Sequence, residues 1–186
     1  MITKKFPLFL AIFCSFVFGG EISYPNEVKQ LYLNKGDKNA IGRLLPTAKV
    51  EILKNDGDFA QIKISGFIQN NKKQILYFNP DNRILNAAFK ANSDIKYETI
   101  NKQTNEVSTI LWTQNTNFEK NYDELMKKAN KLYADNCAMC HALHNINEFS
   151  ANQWPAMLKA MIDRTTIEKE DRFLVEQFLQ KTTTKQ

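Results

Sequence analysis

The chain has 186 residues, with 25 Lys and Arg against 20 Asp and Glu and a formal net charge of +5. A balance this mild, with no clustered basic stripe and no low-complexity tract, gives no support to nucleic-acid binding. Three cysteines are too few for a disulfide framework, and the length fits one large domain or two small ones.

The first segment, "MITKKFPLFLAIFCSFVFGG", has two lysines, an apolar run from Phe6 to Phe18 and then small residues. A charged start, a short apolar stretch and a small-residue end predict a secretory signal peptide over 1–20. The run is shorter than the roughly twenty apolar residues that span a bilayer. Cleavage near Gly19 or Gly20 removes Cys14, so the mature chain is expected to be soluble, outside the cytoplasm and in a bacterial periplasm. Membrane association would be peripheral or absent. Only Cys137 and Cys140 remain, and in an oxidising compartment they serve each other or a shared ligand.

From residue 21 to 115 the apolar period is two. "KVEILKNDGDFAQIKI" alternates Val50 and Ile52 with Lys49 and Glu51, turns at "NDGD", and alternates again through Ala60, Ile62 and Ile64. This predicts a hairpin with one buried face. "QILYFNPDNRIL" repeats the pattern around a turn at 79–82, and "IKYETINKQTNEVSTILW" reads as a further strand pair. Glycines 36, 42, 57 and 66 are expected at turns.

Residues 33–70 resemble a bacterial SH3-like domain. The similarity rests on "RLLP" leading into the Val50 strand, then Phe59, Ile62, Gly66 and Phe67, with Phe at two places where Trp is usual. The resemblance implies a small β-barrel. Phe59 and Phe67 could line a ligand groove, but aromatics at strand spacing usually pack inward, and core is the expectation.

After residue 115 the period becomes helical. Phe118, Tyr122, Leu125, Ala129, Leu132 and Tyr133 predict a helix over 118–135, with the capping-box spacing of Thr116 and Glu119 at its start. A second helix is predicted over 153–163, capped by Asn152 and tolerating Pro155 in its first turn. A third is predicted over 167–181, capped by Thr165 and Glu168, with Ile167, Leu174, Phe178 and Leu179 facing inward. The expected fold class is therefore α+β: a small SH3-like, β-rich domain over 21–115, then an all-α domain over 116–186.

The first helix delivers the chain to "CAMCHALH", residues 137–144. Cys-x-x-Cys-His is the attachment motif of c-type haem. Two thiols add to the two vinyl groups of the porphyrin, and the following histidine is held under the ring to ligate iron. A thioredoxin-like redox pair would need a βαβ context, which a helical segment does not supply. A zinc site of Cys137, Cys140, His141 and His144 would crowd four ligands into eight residues, two of them adjacent. The expected cofactor is one covalently attached haem c, held by Cys137 and Cys140, with His141 as the proximal iron ligand. For the sixth position, Met139 and His144 are poorly placed, whereas Met157 and Met161 lie four apart on one helix face. Either methionine could also be plain core packing.

From about 116 to 181 the chain resembles a class I-type monohaem cytochrome c domain. The stretch "LYADNCAMCHALHNINEFSANQWPAMLKAMIDR" is similar to the C-terminal cytochrome domain of TorC-type cytochromes, which belong to trimethylamine N-oxide reductase systems. There a Trp is followed seven residues later by the iron-ligating Met. Here that pair is Trp154 and Met161, so the resemblance implies Met161 as distal ligand, with Met157 the runner-up. A β-rich segment precedes the haem domain in that family too. The multihaem, membrane-anchored portion has no counterpart in this sequence. The expectation is thus a terminal electron-transfer portion made as a separate soluble protein.

The reading is a soluble periplasmic carrier of single electrons, not an enzyme. Its expected partners are the cytochrome c maturation machinery, a membrane-side quinol-oxidising donor and a periplasmic reductase, of the molybdoenzyme type that acts on N- or S-oxides. Lys127, Lys128, Lys131 and Lys159 could form a basic docking rim or a plain solvated face. Two alternatives are a haem sensor or haem enzyme with an open sixth position, and an SH3-like adaptor with a regulatory haem.

Overall fold

The computed structural model describes residues 20–183, so the predicted signal peptide, apart from Gly20, lies outside the described residues. Ten strands form one curled antiparallel sheet: β1 (Glu21–Pro25), β2 (Lys29–Leu31), β3 (Gly42–Leu44), β4 (Val50–Asp56), β5 (Phe59–Phe67), β6 (Ile75–Tyr77), β7 (Leu85–Phe89), β8 (Glu98–Asn101), β9 (Glu106–Gln114) and β10 (Phe118–Glu119). Three helices follow: α1 (Tyr122–Cys137), α2 (Trp154–Met161) and α3 (Arg172–Thr183).

The alternation read in the sequence builds the centre of this sheet. β4 and β5 pair with Val50 opposite Ile64 and Ile52 opposite Ile62, around a turn at Gly57 with φ of 64°. β5 continues its pairing along the whole length of β9, from Phe59 opposite Gln114 to Phe67 opposite Glu106. The sheet curls because Tyr32, just beyond β2, exchanges two backbone hydrogen bonds with Trp112 of β9, at 2.8 and 2.9 Å. Leu31, Leu44, Val50, Ile62, Ile64, Leu76 and Leu111 fill the interior. Phe59 and Phe67 are only half-buried.

This architecture corrects the expected fold class, a small SH3-like barrel followed by an all-α class I-type cytochrome c domain. The strands are not confined to residues 33–70: β1 pairs with both β4 and β10, β9 pairs with β5 and β8, and all ten belong to one sheet. The helices are short, with 16, 8 and 12 residues. They also pack onto the sheet instead of closing only on one another. The buried face of α3 carries Lys181, whose ammonium donates to Thr47 O at 3.0 Å and Thr47 Oγ1 at 2.8 Å in the β-rich part.

Several local expectations change for identifiable reasons. Residues 118–119 are strand, not helix, because Glu119 pairs with Tyr24 and Phe118 packs against the sheet core. α1 therefore starts at Tyr122. Its cap is Asn121, whose side chain accepts from the backbone N–H groups of Asp123 and Glu124. Asn152 does not cap α2; its Oδ1 accepts from Arg83 N at 2.7 Å in the β-rich part. α3 begins at Arg172, since Thr165 Oγ1 turns back to Ile162 O at 2.7 Å and holds that stretch in a 3-10 turn. Gly42 and Gly66 sit in strands, not turns. At Gly66 a Cβ would approach Tyr77 O to 2.7 Å, so close strand packing excludes a side chain there.

Candidate functional site

The three helices share one apolar core. Trp154 is fully buried at the start of α2, and Leu125, Ala129 and Tyr133 of α1 and Leu174, Phe178 and Leu179 of α3 surround it. Its indole N–H donates to Ile146 O at 3.1 Å and to Thr183 Oγ1 at 3.0 Å, which satisfies the buried donor. Phe149 and Tyr133 meet the Trp154 ring edge-on. This core fixes where α1 ends and where α2 points, and those two ends frame the site.

Cys137 is the last residue of α1, half-buried, and Cys140 and His141 follow on the exposed turn. Both cysteines are free thiols. Burial pushes the Cys137 thiol up, which keeps it protonated at neutral pH. His141 Nδ1 lies 2.7 Å from the adjacent Ala142 O. A hydrogen bond there holds the proton on Nδ1 and leaves Nε2 as the free acceptor.

Met161 ends α2, two turns after Trp154. A pocket of about 180 Å³ brings Cys137, Cys140, His141 and Met161 together, with Asn136, Met139, Arg164, Thr165 and Thr166 completing its walls. Met157 is not in that wall; it packs against the helical core. His144 is also outside it. Its ring lies edge-on to His141 and to Phe149, and its Nδ1 is 3.0 Å from Glu148 Oε2. Among the described residues, no group of three or more His, Cys, Asp and Glu side chains is arranged to hold a metal ion. Two thiols, an imidazole and a thioether around one pocket are the donor set that a c-type haem uses, so the residues present fit that group.

Sequence reasoning missed Asn136, Arg164, Thr165 and Thr166 as wall residues. Their only signal was position, beside Cys137 or within five residues after Met161. Thr166 Oγ1 donates to Asn136 Oδ1 at 2.6 Å, and Asn136 Nδ2 donates to Leu132 O at 2.9 Å. The first bond joins the end of α1 to the segment that follows α2, and the second holds Asn136 within α1.

The basic rim is largely neutralised within the chain. Lys127 pairs with Glu124 at 2.7 Å, Lys128 with Asp171 at 3.3 Å and Lys131 with Asp135 at 2.6 Å. Lys159 enters no ion pair among the described residues. No described helix is long and apolar enough to cross a membrane.

Comparison with known proteins places the similarity across both parts of the chain. The chain is 29% identical over 170 residues to the cytochrome c-type protein TorC of Escherichia coli O157:H7, covering 87% of this chain and 44% of that protein. TorC of Escherichia coli K12 gives the same figures. The cytochrome c-type protein TorY of Haemophilus influenzae is 27% identical over 143 residues, covering 73% of this chain and 39% of that protein. The chain thus spans less than half the length of these curated relatives. No solved structure matches the chain significantly. A family model for the TorC third cytochrome c domain matches residues 19–119, which carry the sheet and stop short of the cysteine motif. By that match, over more than half of its length, the chain belongs to the TorC third cytochrome c domain family.

Proposed function

We propose that this protein is an exported monohaem c-type cytochrome that passes single electrons to a periplasmic reductase of N- or S-oxides, in a trimethylamine N-oxide respiratory system. One observation carries the reading: Cys137, Cys140, His141 and Met161 come from three different local structures and line a single pocket. In this reading Cys137 and Cys140 anchor one haem c by thioether bonds. His141 Nε2 and the Met161 thioether would be its iron ligands. The bound haem supplies a one-electron iron couple. The chain's own residues would anchor the group through two thiols and hold its iron through an imidazole and a thioether. A methionine in the pocket wall favours a carrier with a filled sixth position over a sensor or enzyme with an open one. The charged and apolar pattern of the first twenty residues supports export to the periplasm. A membrane-side quinol-oxidising protein would be the donor.

The test is covalent attachment in protein made with the maturation machinery. The mass should exceed that of the cleaved polypeptide by one haem, and denaturing gels should keep haem peroxidase staining. Cys137→Ala with Cys140→Ala should abolish both. Staining that survives the double change overturns the assignment.

A further inference from the structure

Arg164 carries the one permanent charge in the wall of the pocket that gathers Cys137, Cys140, His141 and Met161. It is exposed, and no carboxylate pairs with it among the described residues. Its neighbour Asp163 is engaged by Arg172 at 2.5 Å. The backbone at Arg164 is held in place. It closes the 3-10 turn Ile162–Arg164, where Ile162 is buried and Ile162 O accepts from both Thr165 N and Thr165 Oγ1. An unpaired guanidinium is therefore kept at a mostly apolar pocket by a fixed turn.

We propose that Arg164 binds a haem propionate. This rests on the haem reading above. A haem brings two carboxylates on an otherwise apolar ring, and seating one against protein without a partner costs desolvation energy. A guanidinium matches a carboxylate with two parallel N–H donors, and its charge persists at every working pH. Arg164 stands three residues after the proposed distal ligand. One short segment would thus supply both an iron ligand and the counter-charge to the ring's acidic edge. Neutralising a propionate removes negative charge near the iron, which disfavours the ferric state and raises the reduction potential.

The experiment is a redox titration of the holo-protein, from pH 5 to 9, for wild type, Arg164→Gln, Arg164→Lys and Lys169→Gln. Covalent haem is verified in each by mass. Lys169 is exposed on the same loop and outside the pocket wall, so it controls for simple loss of surface charge. Arg164→Gln should lower the potential and steepen its fall with pH, as the released propionate titrates. It should also shift the propionate-bending band in resonance Raman. Arg164→Lys should restore most of the potential, and Lys169→Gln should leave it near wild type. Equal potentials and Raman bands in wild type and Arg164→Gln, with haem attached, overturn the role of Arg164 alone. An Arg164→Gln shift matched by Lys169→Gln also overturns it. Wild-type protein without covalent haem overturns the haem reading itself.

Discussion

Thr166 Oγ1 sits 2.6 Å from Asn136 Oδ1 and ties the loop after Met161 to the residue before Cys137. The two halves of the candidate site thus meet through one side-chain hydrogen bond at its edge. Thr166→Val removes the donor and keeps the shape. A hydrogen bond of this kind contributes about 1 kcal/mol, so the denaturation midpoint should fall slightly. The more telling effect should be on ligation. Imidazole should displace the methionine more easily in Thr166→Val than in wild type, read from the far-red methionine–iron band. Unchanged imidazole affinity would show that the tie does not hold the distal segment.

The two methionines of α2 should behave differently, because only Met161 reaches the pocket wall while Met157 packs on the core. Met161→Leu should open the sixth position, lower the reduction potential and let ferrous iron bind carbon monoxide. Met157→Leu is a volume-conserving swap. It should cost under about 1.5 kcal/mol in stability and leave the spectrum alone. Reversed outcomes would place the helix register off by one turn.

Lys181 makes stability depend on pH. Burial pushes its ammonium down from 10.5 to about 7, although Thr47 O, Thr47 Oγ1 and the Phe78 ring, 4.4 Å away, all favour the charged form. Between those two values the unfolded chain holds a proton at this site that the folded chain has lost. The unfolded state binds more protons there, so stability rises with pH across that window and is lowest below about pH 7. Urea unfolding from pH 6.5 to 9.5 should show this rise, and Lys181→Met should flatten it. A slope that survives the substitution assigns the effect to another group.

Docking on the proposed reductase partner should depend only weakly on salt. Lys127, Lys128 and Lys131 are each answered by a carboxylate of the same chain, so their combined field is small beyond a Debye length of about 8 Å at physiological ionic strength. Met139, 73% exposed, and Leu143 beside the motif give that surface an apolar component. Stopped-flow electron transfer should slow only modestly between low and high salt, and Lys127→Glu with Lys128→Glu should change the rate little. A steep salt dependence abolished by that double change would restore the lysines to a steering role.

Much of the candidate site was legible because the proposed chemistry is local. Cys-x-x-Cys-His requires adjacent residues of fixed type, and a helix of period 3.6 places Trp154 and Met161 at the two ends of α2. Choosing between Met157 and Met161 was not local. Both lie on one helix face, and only the packing of α2 against α1 and α3 turns one toward the core and the other toward the pocket. Asn136 and Thr166 were invisible for the same reason: their bond spans thirty positions in sequence.

The sequence by itself determined the strands of the central hairpin and the switch to helical period, since each is set by side-chain spacing within a few residues. Only the tertiary structure decided that the strands join in one curled sheet instead of a small barrel. Which strands pair across long separations depends on backbone bonds such as those between Tyr32 and Trp112, and spacing does not encode them. It likewise decided that residues 118–119 extend the sheet. Pairing with Tyr24 and burial of Phe118 outweigh the local preference for a helix start. Lys181 is the extreme case: its local pattern reads as a charged residue near a helix end, yet α3 packs it against the sheet at 1% exposure with its ammonium on Thr47.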